Sequence, residues 1–242
     1  MNPNTWYSPN DIQTIFDRIA PVYDQLNSWL SFGQHRIWKQ MTVNWSEPKE
    51  GYIGLDICCG SGDISQLLAR KVGKTGKVIG LDFSQELLAI AAQRAYDKYP
   101  TLPLEWIQGD ALNLPFEDNT FDCATMGYGL RNVTDISRSL QEIHRVLKPS
   151  AKVAILDFHR PSQPWQEGFQ KWYLDNLVVP LAEYYGLKDE YAYIMPSLER
   201  FPIGTEQVKL AQEVGFNSVI HYPIAGGFMG VLVGSKTVSS EQ

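Results

Sequence analysis

The apolar positions of this chain follow two rhythms. Between residues 52 and 157, short apolar runs alternate with segments whose apolar residues recur at helical spacing. Residues 52–57, 77–81, 104–108, 121–126 and 152–157 read as strands, and residues 64–72, 85–99 and 136–147 as helices. Pro115-Phe116-Glu117-Asp118-Asn119 has the chemistry of a loop, and Lys148-Pro149 closes the third of these helices. Alternating strand and helix units predict an α/β fold, a parallel sheet with helices on both faces. A helix over 205–214 then leads to strands over 216–221 and 228–234, which Pro223 and Gly226-Gly227 join as a closing pair.

Both ends of this core depart from the rhythm. Ile12, Ile15, Phe16 and Ile19 mark a helix over 9–20 that stops at Pro21. A second helix-like segment, 23–45, is rich in Leu and Trp but carries Tyr23, Asp24, Asn27, His35 and Arg36, more polarity than packing alone requires. Residues 1–46 therefore read as a helical cover over a ligand crevice. Residues 161–202 crowd Trp165, Phe169, Trp172, Tyr173, Tyr184 and Tyr185 into two or three helical stretches inserted after the fifth strand. They form either an apolar wall for a hydrophobic substrate or a satellite core. No Ser/Gly/Pro-rich linker divides the chain, so residues 1–242 read as a single domain.

Charge narrows the choice of partner. A net charge of −6 and a pI near 5.2, with no basic run, argue against nucleic acid and favour a small molecule. No apolar run approaches the roughly 20 residues that span a bilayer, and the N-terminus lacks a secretory pattern, so a soluble, cytoplasmic protein is expected. Cys58, Cys59 and Cys123 have neither zinc-ligand spacing nor a disulfide framework. They are expected to be reduced, buried small residues, and no metal is expected.

The chemistry gathers at strand ends. In Leu55-Asp56-Ile57-Cys58-Cys59-Gly60-Ser61-Gly62-Asp63 an apolar run stops at two glycines and an acid, and a helix begins, which is the construction of a ligand-holding turn. A dinucleotide site would need a third glycine, and a carboxylate at Asp63 would repel pyrophosphate. It suits a ligand with an ammonium and a sulfonium, and S-adenosylmethionine is such a ligand. Asp82 ends the second strand and can accept from both ribose hydroxyls, with Phe83 next to it. Asp110 and the backbone of Ala111 follow the third strand, where an adenine edge can be read. The expected cofactor set is Asp56, Gly60, Ser61, Gly62, Asp82, Phe83, Asp110, Ala111 and Gly127.

Several stretches resemble the ubiquinone/menaquinone biosynthesis C-methyltransferases. They are Tyr23-Asp24-Gln25-Leu26-Asn27, Ser31-Phe32-Gly33-Gln34-His35-Arg36-Ile37-Trp38-Lys39, the loop at 60–63, Leu114-Pro115-Phe116-Glu117-Asp118-Asn119-Thr120-Phe121-Asp122, and Gly129-Leu130-Arg131-Asn132-Val133-Thr134-Asp135. Arg145-Val146-Leu147-Lys148-Pro149 is common to many class I methyltransferases. The insertion, with Pro196-Ser197-Leu198-Glu199-Arg200-Phe201-Pro202, looks most like the cyanobacterial and plastid branch.

The resemblance implies a class I Rossmann-like methyltransferase fold, seven strands with an antiparallel last strand, and cofactor contacts at Ser61, Asp82, Asp110 and Ala111. Gly127 stands where some members have serine, so a side-chain contact is missing there. The implied reaction is C-methylation of a prenylated naphthoquinol, which also implies transient contact with the membrane surface; a homodimer fits the family as well. Such a reaction needs the ring hydroxyl as its phenolate, and a phenol has a pKa near ~10. Arg131 is the expected phenolate-stabilising cation, with Asn132 positioning the ring oxygen and Tyr23, Asp24 or His35 as proton acceptor. A prenylated benzoquinol, O- or N-methylation of another small hydrophobe, and a catalytically silent cofactor-binding scaffold are the alternatives.

Overall fold

The computed structural model describes residues 31, 33–160, 164–185 and 194–237. The expected helix over 9–20, and Tyr23 and Asp24, lie outside them. One seven-stranded sheet organises the described chain, in the order β3-β2-β1-β4-β5-β7-β6. Its strands are β1 (Ile53–Ile57), β2 (Lys77–Asp82), β3 (Leu104–Gln108), β4 (Phe121–Gly127), β5 (Leu147–Phe158), β6 (Phe216–Ile224) and β7 (Met229–Lys236). Neighbours from β3 to β5 pair in parallel, and β7 runs antiparallel to both β5 and β6. The closing pair expected from the sequence is therefore present, with β7 inserted between β5 and β6.

Helices α1 (His35–Trp45), α2 (Asp63–Val72), α3 (Gln85–Lys98) and α4 (Ile136–Val146) flank the first five strands. The central strands are apolar on both faces, as parallel strands covered by helices must be. Leu55 and Ile57 of β1 and Ala124 and Met126 of β4 are fully buried. The strand order reverses between β1 and β4, because β2 and β3 lie on one side of β1 and β4 and β5 on the other. A crevice at the carboxyl ends of these strands is where open α/β sheets bind ligands.

Three boundaries differ from the sequence expectation. The fifth strand begins at Leu147, directly after α4, and carries Lys148-Pro149 inside it. Leu147 pairs with Phe121, and the register then shifts before Cys123 pairs with Lys152, so Pro149, which has no N–H, sits in the irregular stretch. β6 likewise runs through Pro223 to Ile224, which is tolerated because β6 is an edge strand. In the segment read as helical over 23–45, the described helix starts only at His35, after a turn at Gly33-Gln34.

Two contacts fix the part of the N-terminal cover that is described. The ammonium of Lys39 on α1 donates to Asp63 Oδ2 at 2.8 Å, and Trp45 stacks on Tyr222 of β6 with ring centroids 4.8 Å apart. α1 thus reaches from the start of α2 to the far edge of the sheet.

The insertion after β5 contains α5 (Pro164–Tyr173), a π turn (Leu174–Val178), α6 (Val179–Tyr184) and α7 (Ile194–Arg200), followed by α8 (Gly204–Glu213). Its aromatic residues do not form a satellite core among the described side chains. Trp165, Trp172 and Tyr184 are 70%, 52% and 84% exposed, whereas Phe201 is buried in the main core. The cysteines are free thiols; Cys59 and Cys123 are buried and Cys58 partly so. Burial pushes the Cys123 thiol up to about 12 and those of Cys58 and Cys59 well above the ordinary range, so none is a reactive thiolate.

Candidate active site

The loop after β1 is built by backbone bonds and one carboxylate. Cys59 N donates to Leu81 O, Gly62 N donates to Cys59 O, and Gly60 N donates to Asp82 Oδ2 at 2.8 Å. Gly62, at φ 83°, is the left-handed residue that starts α2. A Cβ there would lie 2.6 Å from the Trp106 ring, so glycine is required both for conformation and for space. The same indole covers Gly80 of β2, where a Cβ would again come within 2.6 Å of it. Trp106 pairs with Gly80 in the β2–β3 register.

Asp82 closes β2 and is buried. Its second oxygen accepts from Ser84 N at 3.0 Å, and Ser84 in turn caps α3 by accepting from Leu87 N. The carboxylate is therefore fixed between the glycine loop and the next helix. Phe83 is half-buried beside it, and its carbonyl accepts from Gln108. After β3, Asp110 Oδ1 accepts from Leu112 N at 2.9 Å, and Ala111 is buried. The structure thus brings Gly60, Ser61, Gly62, Asp82, Phe83, Asp110 and Ala111 to the carboxyl ends of three adjacent strands. Gly127 ends β4, with Ile64 of α2 packed where its Cβ would be. A serine there would meet that side chain 2.5 Å away.

Asp56 departs from expectation. Its side chain is fully buried within the fold, where Oδ2 meets the Ser65 hydroxyl at 2.6 Å and Oδ1 the Thr125 hydroxyl at 2.9 Å. Both of its oxygens are thus engaged within the fold. Burial pushes its carboxyl up from 3.8 to about 7, against the lowering effect of those two hydroxyls. Because the folded value is the higher one, the native state holds a proton that the unfolded state has released between about pH 4 and 7. Asp56 therefore loses stabilising effect as pH rises through that window. Asp56→Asn should gain stability relative to wild type as pH rises from 4 to 7, measured by urea denaturation at each pH.

Asp63 does not wait for a ligand ammonium either. Lys39 holds one oxygen, and Arg94 of α3 holds the other at 2.8 Å while also donating to Ser61 O at 3.1 Å. Burial acts to raise the Asp63 carboxyl, but Lys39 and then Arg94 outweigh it and leave it below the ordinary range. The acid therefore ties the cover and α3 to the loop.

The turn Leu130–Asn132 follows β4. The Arg131 side chain is 9% exposed and pairs with Asp157, the 3%-exposed acid near the end of β5, at 2.5 Å. Arg131 Nη1 also donates to Tyr128 O at 3.1 Å, and the backbone N of Arg131 donates to Asp157 Oδ2. The guanidinium lies 4.9 Å from the Phe158 ring centroid and 6.0 Å from that of Tyr128, within cation–π range. Asn132 Nδ2 donates to Tyr128 O at 2.9 Å, which orients the amide and leaves the buried Oδ1 with no donor among the described residues. A buried carbonyl in that state accepts a hydroxyl readily, because its desolvation has already been incurred.

Three side chains that pair with the candidate residues escape sequence reasoning: Asp157, Lys39 and Arg94. Asp157 carries the signal that marks Asp82 and Asp110, an acid at the carboxyl end of a strand. Lys39 and Arg94 carry none, since nothing local to either indicates Asp63. His35 is buried on α1 with Nδ1 2.7 Å from the Ser31 hydroxyl, and Tyr23 and Asp24 lie outside the described residues. No cluster of three metal-ligating side chains occurs among the described residues.

Comparison with known proteins gives a consistent result. The family model for the ubiE/COQ5 methyltransferase family matches residues 5–236. The 2-phytyl-1,4-naphtoquinone methyltransferase of Nostoc punctiforme is 65% identical over 227 residues, 94% of this chain and 99% of that protein. The chloroplastic 2-phytyl-1,4-beta-naphthoquinone methyltransferase of Arabidopsis thaliana is 53% identical over 229 residues, 94% of this chain and 88% of that one. Among solved structures, a SAM-dependent methyltransferase from Aquifex aeolicus shares the fold, with TM-score 0.61 and 19% identity over 88% of this chain and 97% of that one.

Proposed function

This chain belongs to the ubiE/COQ5 methyltransferase family, and from that premise we propose that it methylates a ring carbon of 2-phytyl-1,4-naphthoquinol, using S-adenosylmethionine, in phylloquinone biosynthesis. The reading treats residues 1–242 as one methyltransferase domain. S-adenosylmethionine supplies an electrophilic methyl on sulfur and leaves as S-adenosylhomocysteine. The rim of Gly60, Asp82 and Asp110 suits it: carboxylates accept from ribose and adenine, and no phosphate has to be accommodated.

The observation that carries the reading is the turn after β4. Asn132 Oδ1, a buried acceptor with no donor among the described residues, receives one ring hydroxyl of the quinol, and the neighbouring Arg131 stabilises the phenolate formed when the other hydroxyl gives its proton to solvent water. Asp157 balances the guanidinium charge, so the stabilisation comes mainly from directed N–H groups. The phenolate raises electron density at the adjacent ring carbon, which attacks the methyl as the sulfur–carbon bond breaks; the ring then loses the proton of that carbon. Holding both reactants in line contributes the remainder, with no covalent enzyme intermediate.

Labelled S-adenosylmethionine should give labelled 2-methyl-3-phytyl-1,4-naphthoquinone after the product quinol is oxidised. A prenylated benzoquinol offered in parallel should turn over at least tenfold more slowly, on the order of the ~1.4 kcal/mol set by ring fit. Faster transfer to the benzoquinol would replace the substrate, and transfer to neither would reject the function.

The quinol tail belongs to a membrane, and no helix among the described residues is long and apolar enough to cross one. Trp165, Trp172, Leu177 and Tyr184, exposed on the insertion, are side chains that partition into a bilayer interface. We infer that the protein docks transiently through these side chains while the tail stays in the lipid. In flotation, it should rise with liposomes containing substrate quinol, and Trp165→Ala with Trp172→Ala should lower the floated fraction. Recovery of the wild type only at the bottom of the gradient would rule docking out.

A further inference from the structure

Residues 109–120, between β3 and β4, contribute no strand to the sheet, yet they include the proposed adenine end of the cofactor site. Their backbone groups are met by one face of α4. Arg138, Glu142 and Arg145 stand at i, i+4 and i+7, a spacing that aligns side chains along a helix. Arg138 Nε donates to Leu112 O at 3.1 Å. Arg145 donates to Leu114 O at 2.9 Å, to Phe116 O at 2.7 Å and to Asp118 Oδ1 at 2.8 Å. The carbonyls of alternate residues 112, 114 and 116 thus bond to arginines, as the carbonyls of a strand would bond to a neighbouring strand.

Glu142 holds this comb together. Its side chain is 4% exposed and lies between the two arginines, 2.7 Å from Arg145 Nη2 and 3.3 Å from Arg138 Nη2. It also accepts from Leu114 N at 2.9 Å, so it grips the same loop from the donor side. The Arg145 hydrogen bonds outweigh burial and keep its carboxyl below the ordinary range. The path to the site is short, since Leu112, gripped by Arg138 through its carbonyl, donates its N–H to Asp110 Oδ1. Ala111 lies between those two residues.

We propose that Arg145 and Glu142, assisted by Arg138, are positioning residues for the adenine of the cofactor: they fix the backbone of Ala111 and the carboxylate of Asp110 without touching cofactor or substrate. This rests on the cofactor reading given above. It assigns a task to the Arg145–Pro149 stretch that sequence comparison alone leaves general to the fold class.

The test uses calorimetry with adenosine and with S-adenosylhomocysteine, together with steady-state methyl transfer. Arg145→Gln should weaken both ligands by the same factor, about tenfold for the loss of charge-assisted bonds to the loop. Turnover at saturating cofactor should stay within about twofold, because the turn that holds the quinol is untouched. Arg145→Lys, which keeps the charge but not the fork, should recover only part of the affinity. If Arg145→Gln does not fold, Arg138→Gln should show the same paired loss at about threefold, for one bond removed. A lower melting temperature with both affinities unchanged would make the comb merely structural and overturn the proposal. So would a loss confined to S-adenosylhomocysteine with adenosine unaffected. If the wild type binds neither ligand, the cofactor reading itself fails, and the proposal with it.

Discussion

Replacing Arg131 by alanine should slow methyl transfer about a hundredfold to a thousandfold at saturating cofactor, the range for removing a preorganised donor from a developing anion. The same change leaves Asp157 as a buried carboxylate without its cation, which costs about 3–5 kcal/mol of stability. The two effects separate in the double variant Arg131→Ala with Asp157→Asn. It removes the uncompensated charge, so its melting temperature should return most of the way to wild type while turnover stays low. Cofactor affinity should change little in either variant. If the double variant regains activity along with stability, Arg131 acts only in folding and the assigned chemistry is wrong. Single-turnover measurements on protein shown to be folded decide the matter.

Asp82→Asn should weaken S-adenosylhomocysteine about a hundredfold, with turnover at saturating cofactor reduced far less. The carboxylate is expected to accept from two ribose hydroxyls, and bonds to a charged acceptor are worth about 1.5–3 kcal/mol each. Asparagine also fails locally. Asp82 accepts from Gly60 N through one oxygen and from Ser84 N through the other, and an amide NH₂ would have to face one of those N–H groups. The loop and the start of α3 would therefore move apart as well. Calorimetry measures the loss, and an affinity within about threefold of wild type would remove Asp82 from the ribose.

The sheet was legible because parallel strands buried on both faces are written as apolar runs, and each run here ends at a glycine or an acid. Asp82 and Asp110 could be placed at the carboxyl ends of their strands for that reason. The same rule did not show what holds Asp56. In β1 both faces are buried, so alternation does not tell which way a side chain points, and Asp56 turns toward Ser65 and Thr125. Asp63 was legible as an acid at a helix start but not as a paired one. Its cations come from positions 39 and 94 on two other helices, and no periodicity links them. Arg131 could be found from its motif, but its balancing charge at Asp157 depended on β5 lying beside β4. Lys148-Pro149 was read as a stop because proline ends helices, whereas here it occupies an irregularity within a strand.

Trp106 has an optical consequence. Its indole rests on Gly62 of the glycine loop after β1 and on Gly80, so any shift of that loop changes the surroundings of a fluorophore. The chain has seven tryptophans, and the exposed Trp165 and Trp172 contribute a solvent-like background. The difference in emission between wild type and Trp106→Phe isolates the contribution of this indole. Titrating cofactor against that difference spectrum would report occupancy without label or substrate, so the packing that makes glycine obligatory at position 62 also gives the enzyme its own binding gauge.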